Sequence, residues 1–455
     1  MNKVVHAAQR AAFSAAIDVA INAVRGKGTE KLSENAVKLV NLAEPLLKDR
    51  YPASAFDAAR KFVSDPNGKW MQYAYRAINE IDPHVLKMNA LNLVYEGMFS
   101  GYNYVCELRE KYDCNMPWIL LFDPTSACNL HCKGCWAAEY GNRLNLSFED
   151  MDRIVTQGKE LGIYLYFFTG GEPLVRKDDI IRLCEKHDDC GFHAFTNGTL
   201  IDEKFCQEMK RVGNFSVAIS LEGFDEVNDL RRGKGVFDKV MHAMDLMKQY
   251  GLIFGTSICY TSKNYKVVTS DEFLDMIIEK GARFSWYFHY MPVGNDASTE
   301  LLLDPDQREY MYHRIREIRA MKGGKPIFAF DFQNDGEYVG GCIAGGRNYC
   351  HINPNGDVEP CVFIHYSGAN IKEVDLLTAL KQPLFMAYRA NQPFNCNHLK
   401  PCPMLENPEI LQRMVHETGA HSTDLQSPES VEHLCGKCAE YAKNWDERAQ
   451  KLWNK

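Results

Sequence analysis

The sequence lacks an excess of basic residues. Lys and Arg together number 52 against 60 Asp and Glu, which gives a formal net charge of −8. Proteins that bind nucleic acid usually present a basic field to the phosphates, and the chain as a whole has none. No nucleic-acid partner is therefore predicted.

A secretory signal pattern and an uninterrupted apolar run of membrane-spanning length are also missing. The apolar stretch from Val4 to Val24 contains Arg10 and Asp18, which would be costly inside a bilayer. Without a signal peptide, the 16 cysteines are not those of a secreted disulfide scaffold. The sequence therefore predicts a cytoplasmic protein whose cysteines bind metal.

The first cysteine-rich region holds three cysteines close together. Cys128, Cys132 and Cys135 are separated by three and then two residues, just after the apolar run Trp118–Phe122. Three thiolates leave the fourth iron of a 4Fe–4S cube open to a small molecule, and an open position is typical of a metal that does chemistry. Structural zinc with a distant fourth ligand, and unrelated free thiols, are the two other interpretations.

A second motif follows the next strand-like run. After Phe168 the chain reads Thr169, Gly170, Gly171, Glu172 and Pro173. Glycine has no Cβ and tolerates positive φ, so the backbone of this turn can approach a ligand closely. The carboxylate of Glu172 can then accept a hydrogen bond from a ligand ammonium group.

Together the two motifs resemble those of the radical SAM superfamily. The resemblance implies that Cys128, Cys132 and Cys135 bind a catalytic 4Fe–4S cluster and that Gly170 to Pro173 hold S-adenosylmethionine. It also implies reductive cleavage of this cofactor to a 5′-deoxyadenosyl radical, which abstracts hydrogen from a substrate. The protein would contribute binding, orientation and exclusion of water.

Strand-like and helix-like segments alternate between Trp118 and Pro292, which predicts a parallel sheet with right-handed crossovers. The predicted fold class is α/β, with a partial, six-stranded (β/α) barrel of the TIM type over residues 117–325, as the resemblance implies. An all-helical domain is predicted for residues 1–116, ending in one long amphipathic helix over Leu86–Leu108. A small cysteine-rich α+β domain is predicted for residues 326–455. The predicted strands are Trp118–Phe122, Tyr164–Phe168, Phe192–Thr196, Phe215–Ser220, Ile253–Cys259 and Arg283–Tyr290.

Residues after the other strands are further site candidates, because ligands of such barrels collect at the C-terminal strand ends. Asn197 follows the third strand, Ser220 ends the fourth, and Arg232 precedes a later helix. The resemblance implies that Ser220 and Arg232 meet the ribose and carboxylate of the cofactor, and a guanidinium fork suits a carboxylate. A helix-capping serine and a surface arginine are the alternatives. The family often has aspartate at the position of Glu222, which leaves the role of this residue in doubt.

The second cysteine-rich region begins beyond Gly336. The sequence Pro354-Asn-Gly-Asp357 between apolar runs predicts a β-hairpin. The region resembles the SPASM or related twitch extension of radical SAM enzymes, which implies one or two auxiliary 4Fe–4S clusters. Its second half departs from that pattern, so the ligand assignment stays open, with a zinc-ribbon-like structural site as the alternative. The candidate metal ligands are Cys342, Cys350, Cys361, Cys396, Cys402, Cys435 and Cys438.

The first predicted helix has one narrow polar stripe on an otherwise apolar surface. The stripe recurs at every fourth position and consists of His6, Arg10, Ser14, Asp18 and Asn22. A helix this apolar must be buried in a core, against another subunit or in a membrane surface. Burial within the protein is favoured, and peripheral contact with anionic lipid is the second interpretation because basic residues predominate.

These observations predict a radical SAM oxidoreductase or C–H-activating enzyme whose auxiliary cluster accepts an electron or binds substrate. Its predicted partners are S-adenosylmethionine and an electron donor such as flavodoxin or ferredoxin. A ribosomally made peptide and a membrane lipid are both open as substrates. A non-catalytic metal-binding or electron-carrier protein is the alternative, but it leaves the Gly-Gly-Glu-Pro motif and the barrel unexplained.

Overall fold

The computed structural model describes residues 3–48, 52–137 and 144–454, and its N-terminal region is helical, as predicted. Local signals set some of the helix boundaries: Asp82 caps one helix by accepting from the backbone N–H of His84, and Pro83 occupies its first position. The helices before the first strand are α1 (Lys3–Val24), α2 (Thr29–Leu47), α3 (Ala53–Val63), α4 (Lys69–Glu80), α5 (Pro83–Asn89) and α6 (Tyr102–Tyr112).

A π-helix, Ala90–Gly101, joins α5 to α6 where the sequence predicts one continuous α-helix. Its glycines allow close packing on the sheet. A Cβ at Gly97 would lie 2.9 Å from a side-chain carbon of Leu165, and a Cβ at Gly101 would overlap the carbonyl oxygen of Gly162. The π-helix therefore lies directly against the sheet.

Helix α1 turns its polar stripe towards the protein. His6 Nε2 lies 2.8 Å and Arg10 Nε lies 3.2 Å from the carboxylate of Glu96, which is fully buried in the π-helix. A buried carboxylate is costly without such partners. Phe13 and Val19 are 36% and 70% exposed, so burial of the apolar surface, the favoured expectation, is not observed on this side of α1. No helix in the described ranges is both long and apolar enough to cross a membrane.

A nine-stranded sheet lies at the centre of the fold, and its first seven strands are parallel and adjacent in chain order. The six predicted strands are confirmed to within one residue at each end, and a seventh was missed. The seven are β1 (Ile119–Phe122), β2 (Leu165–Phe168), β3 (Gly191–Thr196), β4 (Phe215–Ser220), β5 (Phe254–Tyr260), β6 (Phe284–His289) and β7 (Phe328–Asp331).

Helices cover the outer face of this partial barrel. Ser147 begins the first of them with a capping box, in which its side chain accepts from the N–H of Asp150 and the Asp150 carboxylate accepts in return. These helices are α7 (Phe148–Glu160), α8 (Lys177–Lys186), α9 (Glu203–Val212), α10 (Asp225–Arg232), α11 (Val236–Gln249), α12 (Asp271–Glu279) and α13 (Pro305–Ile318).

The C-terminal region continues the same sheet past residue 325. Strand β8 (Tyr349–Ile352) pairs in parallel with β1, and β9 (Val358–Glu359) pairs antiparallel with β8. The hairpin predicted around residues 354–357 is thereby confirmed. The remaining elements are β10 (Tyr366–Ser367), β11 (His421–Ser422), α14 (Gly336–Val339), α15 (Leu376–Leu380), α16 (Pro383–Asn391), α17 (Pro408–Thr418) and α18 (Val431–Trp453).

Side chains of each strand alternate between two cores. On β1, Leu120 and Phe122 point outward and pack with the helices, whereas Leu121 points inward. The inner core joins the inside of the barrel to the C-terminal region, and it contains Cys361, Cys435 and other cysteines of that region. The barrel interior and the C-terminal cysteines therefore share one apolar environment.

Candidate functional site

The loop after β1 carries the three clustered cysteines at the C-terminal edge of the sheet. Cys128, Cys132 and Cys135 are free thiols that are partly exposed. Burial raises the pKa of Cys128 to about 11, and the charges of Glu172, Cys135 and Cys132 act in the same direction. The three predicted ligands are thus brought together, and iron would stabilise thiolates that otherwise repel one another.

The arrangement of these thiols is open rather than tight. Within residues 3–48, 52–137 and 144–454, no three His, Cys, Asp or Glu side chains converge closely enough to enclose a single metal ion. A 4Fe–4S cluster asks for a wider arrangement, since each thiolate binds a different corner of the cube.

Gly171 packs against the backbone of the cysteine loop. Its N–H donates to the carbonyl of Thr125 at 3.0 Å. A Cβ at this position would overlap the carbonyl oxygens of Ser126 and Ala127. The predicted close approach is present, and the backbone approached in this structure is the segment that leads into Cys128.

We expect Gly171→Ala to reduce cofactor binding and cleavage about tenfold or more. The added methyl group must displace the loop before Cys128, and overpacking of this kind costs about 1–3 kcal/mol. A displacement of the reacting groups by about 1 Å lowers rates by a larger factor. Equilibrium dialysis of S-adenosylmethionine and release of 5′-deoxyadenosine measure the two effects.

The matched control is Gly436→Ala in α18, where a Cβ meets no atom within 4 Å. Alanine is the better helix former, so this variant should retain full activity. Equal loss of activity in both variants would contradict the role given to the close contact at Gly171.

Gly170 and Pro173 shape the turn around Glu172. Gly170 has a φ of 110°, in the region that favours glycine. Pro173 begins a short 3-10 helix, Pro173–Arg176, whose first turn is capped by the side chain of Glu172. The predicted cofactor motif is therefore a turn held by its own hydrogen bonds.

The carboxylate of Glu172 is engaged within the protein. Oε1 accepts from Thr196 Oγ1 at 2.6 Å and from Leu174 N at 3.0 Å, and Oε2 accepts from Asn197 N at 2.7 Å. Burial raises the pKa of Glu172, and these hydrogen bonds oppose the rise. Asn197 Nδ2 in turn donates to Asn129 of the cysteine loop at 2.8 Å. Glu172 and Asn197 thus join the ends of β2 and β3 to that loop, with carboxylate lone pairs left for a further donor.

Arg232 lies beside the cysteine loop and pairs with Glu222. Its Nη2 and Nε lie 2.5 Å and 3.0 Å from Glu222 Oε1, and Arg231 Nη1 lies 2.7 Å from the same oxygen. Arg232 Nη1 is 3.9 Å from the sulfur of Cys132. Glu222 Oε2 is buried and has no hydrogen-bond partner among the described residues. Guanidinium donors beside an open carboxylate oxygen fit a ligand that has both a carboxylate and hydroxyl groups.

Three of the predicted C-terminal ligands come together between the barrel and α18. Burial raises the pKa of Cys342 to about 12 and that of Cys361 to about 11. Cys402 is close enough to both for their charges to raise its pKa further. The Cys361 sulfur also lies 2.8 Å from the hydroxyl of Tyr349. Buried thiols of this kind ionise when a metal replaces the proton, so this group fits an iron–sulfur cluster.

Tyr388 links this group to α18. Burial raises its pKa, and the charges of Cys342, Cys361, Cys402 and Cys435 add to the rise. The hydroxyl of Tyr388 is buried without a hydrogen-bond partner in the described part of the chain. The charges of four cysteines therefore act on one phenol, with Cys435 as the fourth. Cys438 follows one helical turn after Cys435 and is also buried.

Two predicted ligands are not brought to this group. Cys350 belongs to β8, and its thiol lies in the outer core that also holds Leu120. Its neighbour Tyr349 points to the inner core, as strand alternation requires. Cys396 is exposed. The positions of Cys350 and Cys396 give their predicted metal role no support.

Sequence reasoning missed a buried network next to the cysteine loop. His351 lies 2.6 Å from Glu359 and 3.0 Å from Asp123, which also accepts from Thr169 Oγ1 at 2.6 Å. Burial alone would lower the pKa of His351, but the two carboxylates raise it to about 10. The network joins β1, β2, β8 and β9, and its only local signal is an aspartate directly after a buried strand.

Family models match two parts of the chain. Residues 122–277 match the radical SAM superfamily, and residues 342–403 match the SPASM iron–sulfur cluster-binding domain. Fe-coproporphyrin III synthase of Methanosarcina barkeri is 27% identical over 49% of this chain, and the match spans only 57% of that protein. Mycofactocin maturase of Mycobacterium tuberculosis is 27% identical over 63% of this chain and 77% of its own length.

The solved structures of SuiB from Streptococcus suis share the fold. The complex with S-adenosylmethionine has a TM-score of 0.57 at 19% identity and covers 86% of this chain and 89% of SuiB. The complex with the precursor peptide SuiA has a TM-score of 0.56 and covers 77% and 81%. The two matched domains imply 4Fe–4S clusters and S-adenosylmethionine as cofactors, and the two groups of thiols fit them. This chain therefore contains a radical SAM domain followed by an iron–sulfur cluster-binding SPASM domain.

Proposed function

We propose that the loop after β1 is the catalytic centre and that Cys128, Cys132 and Cys135 hold its cluster. When bound, the cluster and S-adenosylmethionine supply an electron and a 5′-deoxyadenosyl radical that removes hydrogen from the substrate. The observation that carries this proposal is the meeting of the three thiols with Gly171 and Arg232 at one edge of the sheet.

The other residues at this edge orient the cofactor. Arg232 would bind the carboxylate of the cofactor, and it would give up one of its two hydrogen bonds to Glu222 to do so. The free Oε2 of Glu222 is placed to accept from a ribose hydroxyl, and Ser220 is half-buried at the end of β4 on the same edge. Glu172 and Asn197 hold the surrounding turns and leave room for the ammonium group.

Four thiols around Tyr388 are the proposed ligands of one auxiliary cluster: Cys342, Cys361, Cys402 and Cys435. Their mutual electrostatic effects and shared burial support this set. Cys438 is close to Cys435 and is the reserve ligand. The division of the chain at residues 116 and 325 remains a proposal, with the sheet continuing across the second boundary, and flavodoxin or ferredoxin is the proposed electron donor.

The direct test is anaerobic reconstitution with iron and sulfide, followed by iron counting and assay of 5′-deoxyadenosine under dithionite. More than four irons per chain and cofactor cleavage without added substrate are expected. A fully loaded protein that binds S-adenosylmethionine but releases no 5′-deoxyadenosine, alone or with the substrates proposed below, would contradict the proposed catalytic centre.

Both substrate classes, peptide and lipid, have a point in their favour. The mycofactocin maturase and the SuiB complex with SuiA favour a peptide. The outward apolar surface of α1 favours a membrane-associated substrate, since exposed apolar surface of this kind is typical of interfacial helices. Arg10 of α1 and Arg25 just after it do not strengthen the membrane proposal, because Arg10 binds Glu96 and Arg25 donates to backbone carbonyls such as Ile78 O.

We expect Phe13→Glu/Val19→Glu to weaken binding to vesicles of anionic phospholipid about tenfold or more. Both side chains lie on the exposed surface of α1, and carboxylates there would be repelled by the interface. Co-sedimentation measures the effect. Deleting α1 is a poorer test, because it leaves the buried carboxylate of Glu96 without its cations.

The matched control is Val339→Glu/Leu425→Glu, which alters two side chains that are 42% and 54% exposed on the C-terminal region. This control should sediment like the unchanged protein. Failure of the unchanged protein to bind vesicles, or equal loss in both variants, would exclude membrane contact through α1.

A further inference from the structure

A row of aromatic rings enters the barrel from its edge strand β7. Phe328 and Phe330, two residues apart on the inner face of β7, are 44% and 39% exposed. The ring of Phe330 stacks on Trp286 of β6 with centroids 4.9 Å apart. Large apolar side chains that remain this exposed in parallel strands mark a surface that a ligand can reach.

The row continues through the barrel to the catalytic loop. Trp286 stacks on Phe288 at 6.0 Å, Phe288 contacts Phe363 at 6.5 Å, and Phe363 contacts Trp136 at 6.1 Å. Trp136 directly follows Cys135. The rings thus form a continuous path from the exposed edge of the sheet to the proposed catalytic cluster.

Charged groups lie at the inner end of the row, where the rings of His351 and His365 are 5.9 Å and 6.0 Å from Trp136 and each imidazole is paired with a carboxylate. Beside the β6 part of the row lies His193, whose ring is 5.1 Å from Phe195, and Phe195 in turn lies 6.0 Å from Trp286. Burial lowers the pKa of His193 to about 3, so the imidazole is neutral.

The inward-facing residues of the neighbouring strands are small. Ala218 of β4 is buried but does not pack in the outer core, and Ser257 of β5 is half-buried. Trp286 and Phe288 are themselves half-buried, so the small side chains of β4 and β5 leave part of these rings open to a ligand. A peptide against these rings would lose the hydrogen bonds that its backbone makes to water.

We propose that this aromatic row binds an extended hydrocarbon chain of the substrate and delivers it to the catalytic loop. The assignment rests on the proposed function, because it takes the Cys128–Cys135 loop as the site of hydrogen abstraction. The chain enters at Phe328 and Phe330, and the polar end of the substrate stays outside at this edge. A long-chain lipid is therefore the class of substrate that the interior fits best.

Binding is tested with the anaerobically reconstituted protein and 9,10-dibromostearate, whose bromines quench nearby tryptophan fluorescence. Unbrominated stearate is the reference ligand. We expect saturable quenching that falls clearly in Trp286→Phe, since this variant keeps an aromatic ring in the row but removes its fluorophore. We expect Phe330→Glu to raise the half-saturating concentration about tenfold, because a carboxylate replaces apolar surface.

Phe224→Glu is the matched control, since Phe224 is 38% exposed and lies outside the row. It should bind like the unchanged protein. Quenching that is the same in the unchanged protein and Trp286→Phe would overturn the proposal, and so would equal weakening by Phe330→Glu and Phe224→Glu. Displacement of the quencher by coproporphyrin III at a lower concentration than by stearate would overturn the hydrocarbon-chain assignment in favour of a flat ring.

The assay of S-adenosylmethionine cleavage without substrate distinguishes a failure of the proposed function from a failure of the aromatic-row proposal. If the unchanged protein releases no 5′-deoxyadenosine, this result counts against the proposed function. Normal release without quenching at Trp286 would count against the aromatic row alone.

Discussion

The triple variant Cys128→Ala/Cys132→Ala/Cys135→Ala is expected to release no 5′-deoxyadenosine while it keeps the iron of the SPASM domain. The three thiols lie on the loop beside Gly171 and Arg232, whereas the group around Tyr388 belongs to the C-terminal region. Iron counting, visible absorbance and the cleavage assay under dithionite measure both parts of this expectation.

Cys106→Ala is the control, because this partly exposed thiol on α6 belongs to neither group. It should keep both iron content and activity. Loss of all iron from the triple variant would mean that the two sites do not load independently. Residual cofactor cleavage in that variant would contradict the ligand assignment.

Arg308→Met is expected to cost about 3–5 kcal/mol of stability and to reduce auxiliary iron. Arg308 and Glu406 are fully buried, with Nη1 and Oε1 2.6 Å apart. Arg308 also donates to Tyr441, Asn334 and the carbonyl of Leu399. Its removal takes away the donor to the buried oxygens Glu406 Oε1 and Asn334 Oδ1, whereas the Leu399 carbonyl keeps its bond from Trp445 Nε1.

The loss should reach the auxiliary site because Glu406 Oε2 accepts from the N–H of Cys402 at 2.7 Å. Burial raises the pKa of Glu406 and Arg308 opposes the rise, so without the arginine the carboxylate takes up a proton or draws in water. Urea unfolding followed by cluster absorbance, with iron counting, measures the effect. The double variant Arg308→Met/Glu406→Gln should recover much of the stability, and equal instability of the single and double variants would contradict this account.

The sequence predicts the local parts of the site well and its long-range parts poorly. Cys128, Cys132 and Cys135 share one loop, and Ser147 with Asp150 forms its capping box within four residues, so chain-local pattern is sufficient. The four cysteines around Tyr388 come from separated segments, and spacing alone could not group them. The alternation of side chains along β8 points the Cys350 thiol away from the inner core. This orientation can be assigned only once the strand is known to pair with β1.

The orientation of α1 shows the same limit. The sequence favours burial of the apolar surface of α1 within the protein, because amphipathic helices usually bury that surface. The stripe instead binds Glu96, a residue some way along the chain in a π-helix that apolar periodicity cannot distinguish from an α-helix. A buried charge on one element, here Glu96, can therefore turn the polar side of a neighbouring helix towards the protein.

Strands β1 and β8 are hydrogen-bonded neighbours, yet the ribosome delivers them at very different times. Chains are made at about 5–20 residues per second, and β2 to β7 all emerge between the two. During that interval β1 is an edge strand with unpaired N–H and C=O groups, which invites pairing with other chains. The half-made sheet therefore needs protection until the SPASM region arrives, and that region brings both the missing strand and the last set of metal ligands.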